Sequence, residues 1–323
     1  MYKKLLSIIT IFLSYDISSM ELSQSSQEDQ SYFNNLPREI KCEIIRKLNL
    51  NSLKDLFINL QNLSVNRELR SLYIQYIIKL YFKEAVEDNK KMEEIYQALM
   101  NACRNNKITA ISILLKCGVN VNFAKERQWT PLMAACYQNN LEIVKLLLDA
   151  GAITDIAFGH TGETPLKLAC RTQNLEIVKL LIAYKADVNF AKESCWAPFI
   201  TACSTNNLEI VKLLLYAGAI TDRDKEIFEY TPLILACEKQ NVEIVKLLIA
   251  YKADVNFAKE GEWTPLMIAC YKNNLEIVKL LLDAGATVNI QVRGKTAFNY
   301  ATAEIRELLN KYKSKEMPTL TEG

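Results

Sequence analysis

The sequence predicts an all-α solenoid of helix–turn–helix units joined by hairpin loops, preceded by a small N-terminal helical module. Three observations carry this reading. Prolines at 131, 165, 198, 232 and 265 recur at spacings of 34, 33, 34 and 33 residues. Each opens an apolar stretch ending in Ala-Cys and is followed by Glu-Ile-Val-Lys within a second apolar stretch. Gly151, Lys185, Gly218, Lys252 and Gly285 then close those second stretches in turn. A fixed period in the range of about 20–50 residues is the mark of stacked supersecondary units.

Each unit reads the same way. Thr130, Thr164, Thr231 and Thr264 stand before the proline. There they cap a short helix whose first position tolerates proline, because the N–H that proline lacks has no helical partner anyway. Asn139-Asn140, Asn206-Asn207 and Asn273-Asn274 make a tight turn into the second helix. Leu141, Ile143, Val144, Leu147 and Leu148 give that helix its apolar face. Gly118, Gly151, Gly218 and Gly285 end their helices in the left-handed conformation. Lys185 and Lys252 fill the same slot, where a side chain costs about 1 kcal/mol in local strain. Two outer copies are degraded. Gln97 to Val121 lacks the Thr-Pro start, and Thr296 to Tyr312 is short and polar at Glu304, Arg306, Glu307 and Lys311. Terminal units with only one neighbour are expected to look like this.

A second period lies above the first. Asn-Phe-Ala-Lys-Glu recurs at 122–126, 189–193 and 256–260, and Trp129, Trp196 and Trp263 follow in step, each series spaced by 67 residues. The array therefore reads as duplicated pairs of units, one kind with tryptophan before the Thr-Pro slot and one without.

Thr-Pro-Leu, Leu-Glu-Ile-Val-Lys-Leu-Leu and Lys-Ala-Asp-Val-Asn, as they stand here, resemble the ankyrin repeat over residues 94–313, as six units and a C-terminal cap. One departure is clear: the histidine usual after Thr-Pro-Leu is replaced by Met133, Lys167, Ile200, Ile234 and Met267. The turn hydrogen bonds of that histidine must come from elsewhere or be missing. The resemblance implies that the chain binds a protein target through a concave groove. The slot before Thr-Pro and the slots after the small-residue pair face such a groove. Here they present Trp129, Tyr137, Glu163, Arg171, Trp196, Tyr230, Glu238, Trp263, Tyr271 and Lys272. Exposed tryptophan and tyrosine are favoured interface anchors. The opposing reading is that each tryptophan lies flat on the adjacent hairpin and only covers it.

Composition narrows the chemistry. The 323 residues carry 39 Lys and Arg against 37 Asp and Glu, for a net charge of +2. That field is too weak to make nucleic acid or an anionic membrane the main partner. The one histidine, His160, leaves no material for a histidine-based zinc site, and any Ser-His or Cys-His pair must use it. Of nine cysteines, Cys103, Cys136, Cys170, Cys203, Cys237 and Cys270 share one repeat slot, where cysteine acts as a small buried hydrophobe. Stacked helices lie about 8–10 Å apart and a disulfide needs Cα atoms within about 7 Å, so the column is expected to stay as free thiols. Cys195, beside Trp196 in a loop, is the one candidate for a thiol enzyme, and no activating base accompanies it. Glu-x-x-Lys pairs such as Glu142 and Lys145 read as solvated ion pairs. No catalytic residue, metal site or cofactor is expected, and the chain is expected to be monomeric.

The N-terminal region divides into three. Lys3 and Lys4, the apolar run Leu5 to Leu13 and small residues Ser18 and Ser19 have the layout of a secretory signal over residues 1–19. Its apolar run is shorter than the roughly 20 residues that span a bilayer, so no membrane attachment is expected once the signal is removed. Residues 20–34 are Ser/Gln-rich and expected to be disordered. Residues 35–93 read as a helical module with connecting helices. Leu36, Pro37, Ile40, Ile44 and Leu48, followed by the Ser52-Leu53 start of a second helix, resemble an F-box. In that family the motif docks onto the adaptor subunit of a cullin-type ubiquitin ligase. The alternative is that these helices only cap the repeats. Together with the export signal, the F-box reading suits a protein delivered into a host cell's cytoplasm; without export it is cytoplasmic. Residues 314–323 read as a disordered tail.

Overall fold

A computed structural model describes residues 89–116, 118–124, 128–159, 162–191, 196–222 and 231–316. Residues 1–19, 20–34 and the F-box-like positions Leu36, Pro37, Ile40, Ile44 and Leu48 lie outside the described residues, as do His160, Cys195 and Tyr230. The chain divides between Ile153 and Thr154 into two compact units.

The first unit contains α1 (Asn89–Arg104), α2 (Ile108–Lys116), α3 (Pro131–Tyr137) and α4 (Leu141–Asp149). Helix α1 starts five residues ahead of position 94, where the repeats were expected to begin. It packs on α2 and α3, and α4 packs on α3 and α2. Leu99, Met100 and Cys103 of α1 meet the core formed by Ile111, Leu114, Leu132, Met133, Ile143 and Leu147, all buried. The Tyr96 hydroxyl donates to the Trp129 carbonyl at 2.6 Å, which ties α1 to the loop before α3.

The second unit repeats the motif: α5 (Pro165–Arg171), α6 (Leu175–Ala183), α7 (Pro198–Ser204), α8 (Leu208–Tyr216), α9 (Pro232–Glu238), α10 (Val242–Ala250), α11 (Pro265–Tyr271) and α12 (Leu275–Asp283). A 3-10 turn at Ala297–Asn299 and α13 (Ala303–Glu316) close it. First helices α5, α7, α9 and α11 pack in one row and second helices α6, α8, α10 and α12 in another. Helix α13 covers the last apolar face with Ile305 and Leu309 and leaves Glu304, Arg306, Glu307 and Lys311 exposed. It runs to Glu316, so residues 314–316 are helical and do not belong to the tail expected from 314.

Local chemistry sets the helix ends. The side chains of Thr130, Thr164, Thr231 and Thr264 accept the N3 backbone N–H of their helices, while Ala197 before α7 offers no side-chain cap. The Asn-Asn turns resolve into two roles. Asn139, Asn206 and Asn273 take the left-handed conformation at φ 61°, 61° and 54°. Asn140, Asn207 and Asn274 cap the next helix by accepting the N–H of Ile143, Ile210 and Ile277. At the far end, Gly151 N–H donates to the Leu148 carbonyl at 2.9 Å and Ala152 N–H to Leu147 at 3.0 Å, which is a Schellman closure. Lys185 and Lys252 close their helices with the same pair of bonds.

The hairpin loops are tied from one repeat to the next. Asn122 Oδ1 accepts Ile153 N–H at 2.8 Å while its Nδ2 donates to the Gly151 carbonyl at 2.9 Å. Asn189 holds Ile220 and Gly218 in the same way, and Asn256 holds Thr287 and Gly285. In the alternate loops Asp155 accepts Asp187 N–H at 3.0 Å and Asp222 accepts Asp254 N–H at 2.9 Å. The family's histidine slot holds Met133, Lys167, Ile200, Ile234 and Met267, all buried, and the hydrogen bonds between successive loops come from these Asn and Asp side chains.

Candidate protein-binding face

Side chains at the slots before each Thr-Pro and at the end of each first helix are positioned by two rigid features, the capped helix N-terminus and its last turn. In the first unit Trp129 precedes the cap Thr130 and Tyr137 ends α3. Their rings meet edge-on at 5.1 Å, a preferred aromatic geometry. Trp129 is half-buried and Tyr137 is 49% exposed.

In the second unit Trp263 and Tyr271 repeat this contact at 5.2 Å. Tyr300, just after the 3-10 turn, joins them with its ring 4.2 Å from Trp263 and 6.4 Å from Tyr271. Lys272 Nζ lies 5.9 Å from the Tyr271 ring and Lys295 Nζ 5.8 Å from the Tyr300 ring. Tyr271 is 61% exposed, and both lysines are exposed. Trp129, Trp196 and Trp263 are all half-buried, and in the first and last of these tyrosine carries the exposed ring.

Glu163 departs from the expectation of a groove-facing side chain. It is buried, with Arg171 Nη1 at 3.1 Å and Lys167 Nζ at 3.8 Å from the same carboxylate oxygen, and its other oxygen has no hydrogen-bond partner among the described residues. Its backbone pairs with Phe158 across the hairpin at 2.8 and 3.2 Å. That pairing turns the side chain inward, onto α5. Arg171 keeps an exposed side chain while serving this pair. Glu238 is half-buried at the end of α9. Tyr300 was missed by sequence reasoning. It falls in the degraded last unit, where the change from an α-helix to a 3-10 turn re-aims it, and no local motif announces that change.

The cysteine column is buried and unbridged. Burial pushes the Cys103 and Cys270 thiols up to about 12 and raises those of Cys136, Cys170, Cys203 and Cys237 further. Thiols held protonated are poor nucleophiles and poor ligands. Among the described residues no group of three metal-ligating side chains converges, and no helix is long and apolar enough to cross a membrane. Glu-x-x-Lys pairs form on the outer helices as exposed ion pairs, Glu176–Lys179 at 2.7 Å and Glu209–Lys212 at 3.0 Å. Burial raises the Tyr96 hydroxyl, and a hydrogen bond to Asp283 raises that of Tyr312.

Stacked helix pairs with their thiols sealed inside, and aromatic and charged side chains set out at loop tips and helix ends, define a protein-interaction scaffold. The chain belongs to the ankyrin-repeat family: the family model "Ankyrin repeats (3 copies)" matches residues 73–157, 153–225, 218–292 and 258–313. The match opens at 73, ahead of position 94. Among solved structures, the crystal structure of the human ASB11 ankyrin repeat domain is similar at 29% identity and a TM-score of 0.56. The alignment covers 68% of this chain and 98% of that one. No curated protein sequence matches the chain.

Proposed function

We propose that the chain is a substrate receptor: its repeats hold a target protein, and its N-terminal module recruits a cullin-type ubiquitin ligase. The observation that supports target binding at these slots is the exposure of Tyr137 and Tyr271, each seated on a half-buried tryptophan. Large exposed rings with a rigid backing are favoured binding anchors, because little side-chain freedom is lost on contact. Recruitment rests on Leu36, Pro37, Ile40, Ile44 and Leu48, whose pattern resembles an F-box. Export through residues 1–19 into a host cell belongs to the same reading.

Adaptor pull-down with the full chain tests recruitment. Wild type retains the ligase adaptor and the Leu36→Ala/Pro37→Ala variant loses it. No retention by wild type leaves the plain ankyrin-binding protein, with an N-terminal helical cap, as the reading. N-terminal sequencing of secreted protein tests export: a start near residue 20 is the expected result.

A further inference from the structure

We propose that the C-terminal aromatic cluster of the second unit is a docking site for an acidic, apolar-containing segment of a protein partner. This rests on the scaffold reading above and names the chemistry of its target.

The cluster is continuous. Lys295 lies over Tyr300, Tyr300 packs on Trp263, Trp263 meets Tyr271, and Lys272 flanks Tyr271. Tyr271 is the exposed ring at its centre, with Trp263 and Tyr300 half-buried beneath. Neither Lys272 nor Lys295 makes an ion pair among the described residues. Glu262 is paired with Arg293 at 3.7 Å. The aromatic surface is therefore bracketed by two cations whose charge the fold does not neutralise.

Two matching slots among the described residues differ in chemistry. In the first unit Trp129 and Tyr137 form the same ring pair, but Gln138 stands where Lys272 does. Glu163 fills the pre-Thr slot of another repeat and turns inward onto Arg171. Among the described residues, the exposed Tyr271 ring and the two lysines come together where the Pro265 repeat meets the C-terminal unit.

Charge complementarity selects the occupant. Two ammonium groups either side of an exposed ring suit carboxylates flanking an apolar side chain on one extended segment. Single-stranded nucleic acid also stacks on rings beside cations, but it needs a basic groove that follows its backbone. Two cations either side of one exposed ring do not make such a groove, and RNA binding is an outcome of the test.

The test uses the full chain and a short fluorescent peptide alternating glutamate with leucine, read by anisotropy at low and moderate salt. Controls are a lysine–leucine peptide, an all-glutamate peptide and a labelled single-stranded RNA. The glutamate–leucine peptide is expected to bind best, and more weakly as salt rises. Lys272→Glu/Lys295→Glu is expected to weaken it about tenfold or more by reversing both charges. Tyr271→Ala is expected to weaken it about tenfold. Gln138→Ala, at the matching uncharged slot, is expected to leave it unchanged. Both lysines and Tyr271 are exposed, so these variants keep their fold, and circular dichroism melting checks it. The proposal is overturned if the glutamate–leucine peptide does not bind, or if the double charge reversal leaves its binding intact. It is equally overturned if the all-glutamate peptide or the RNA binds as well as the glutamate–leucine peptide. Adaptor pull-down reads the receptor function separately: adaptor retention without peptide binding sinks only this site, and peptide binding without adaptor retention sinks only recruitment.

Discussion

Two kinds of hairpin loop alternate along the repeats, and they differ in both backbone and brace. In one kind the helix ends at Gly151, Gly218 or Gly285, with φ between 86° and 91°. An asparagine from the preceding repeat grips it at two points, donating to the glycine carbonyl and accepting an N–H two residues on. In the other kind Lys185 or Lys252 sits at φ 67° or 63°, close to the centre of the left-handed region, and an aspartate accepts an N–H two residues on. Only glycine reaches the wider φ without meeting its own Cβ. Only asparagine both donates and accepts, since an ionised carboxylate cannot donate. Backbone and brace are thus matched in each loop, and the 67-residue period is the spacing of that matched pair.

Exchanging parts between the two kinds breaks the match. The largest effect is expected from Gly218→Lys, which forces a side chain to φ 91°. Urea unfolding should show a loss of about 1–2 kcal/mol. Asn189→Asp removes the donor to the Gly218 carbonyl and sets a carboxylate against that oxygen. The expected loss is about 1 kcal/mol. A cap exchange follows in size. Thr264→Ala should cost about 1 kcal/mol, and Ala197→Thr, in a repeat without a side-chain cap at this slot, should gain a similar amount. Lys252→Gly relieves strain but loosens the unfolded chain, so thermal melting should show a net gain below about 1 kcal/mol. Asp155→Asn keeps the acceptor for Asp187 N–H, and a change within about 0.5 kcal/mol is expected. A larger loss there would mean that the carboxylate's charge matters and not only its acceptor oxygen.

The candidate binding face was legible only in part. Trp129, Tyr137, Trp263, Tyr271 and Lys272 follow from their repeat slots, because capped helices of constant length carry those slots to constant places. Glu163 does not follow. Its direction depends on a hairpin pairing with Phe158 and on cations four and eight residues away, which a slot rule ignores. Tyr300 reaches Trp263 from just after a 3-10 turn in the last unit, a contact between units that no slot rule contains.

The amino-acid order alone determined the repeat, its helix ends, its left-handed closures and its buried thiol column. All of these are set within one or two turns of chain by caps, proline, glycine and apolar spacing. Tertiary structure alone decided which side chain braces which loop. Asn122, Asn189 and Asn256 find their partners 29 and 31 residues away, a meeting that exists only once neighbouring repeats have stacked. The same stacking decided which rings stay exposed, since exposure is fixed by what the next repeat covers.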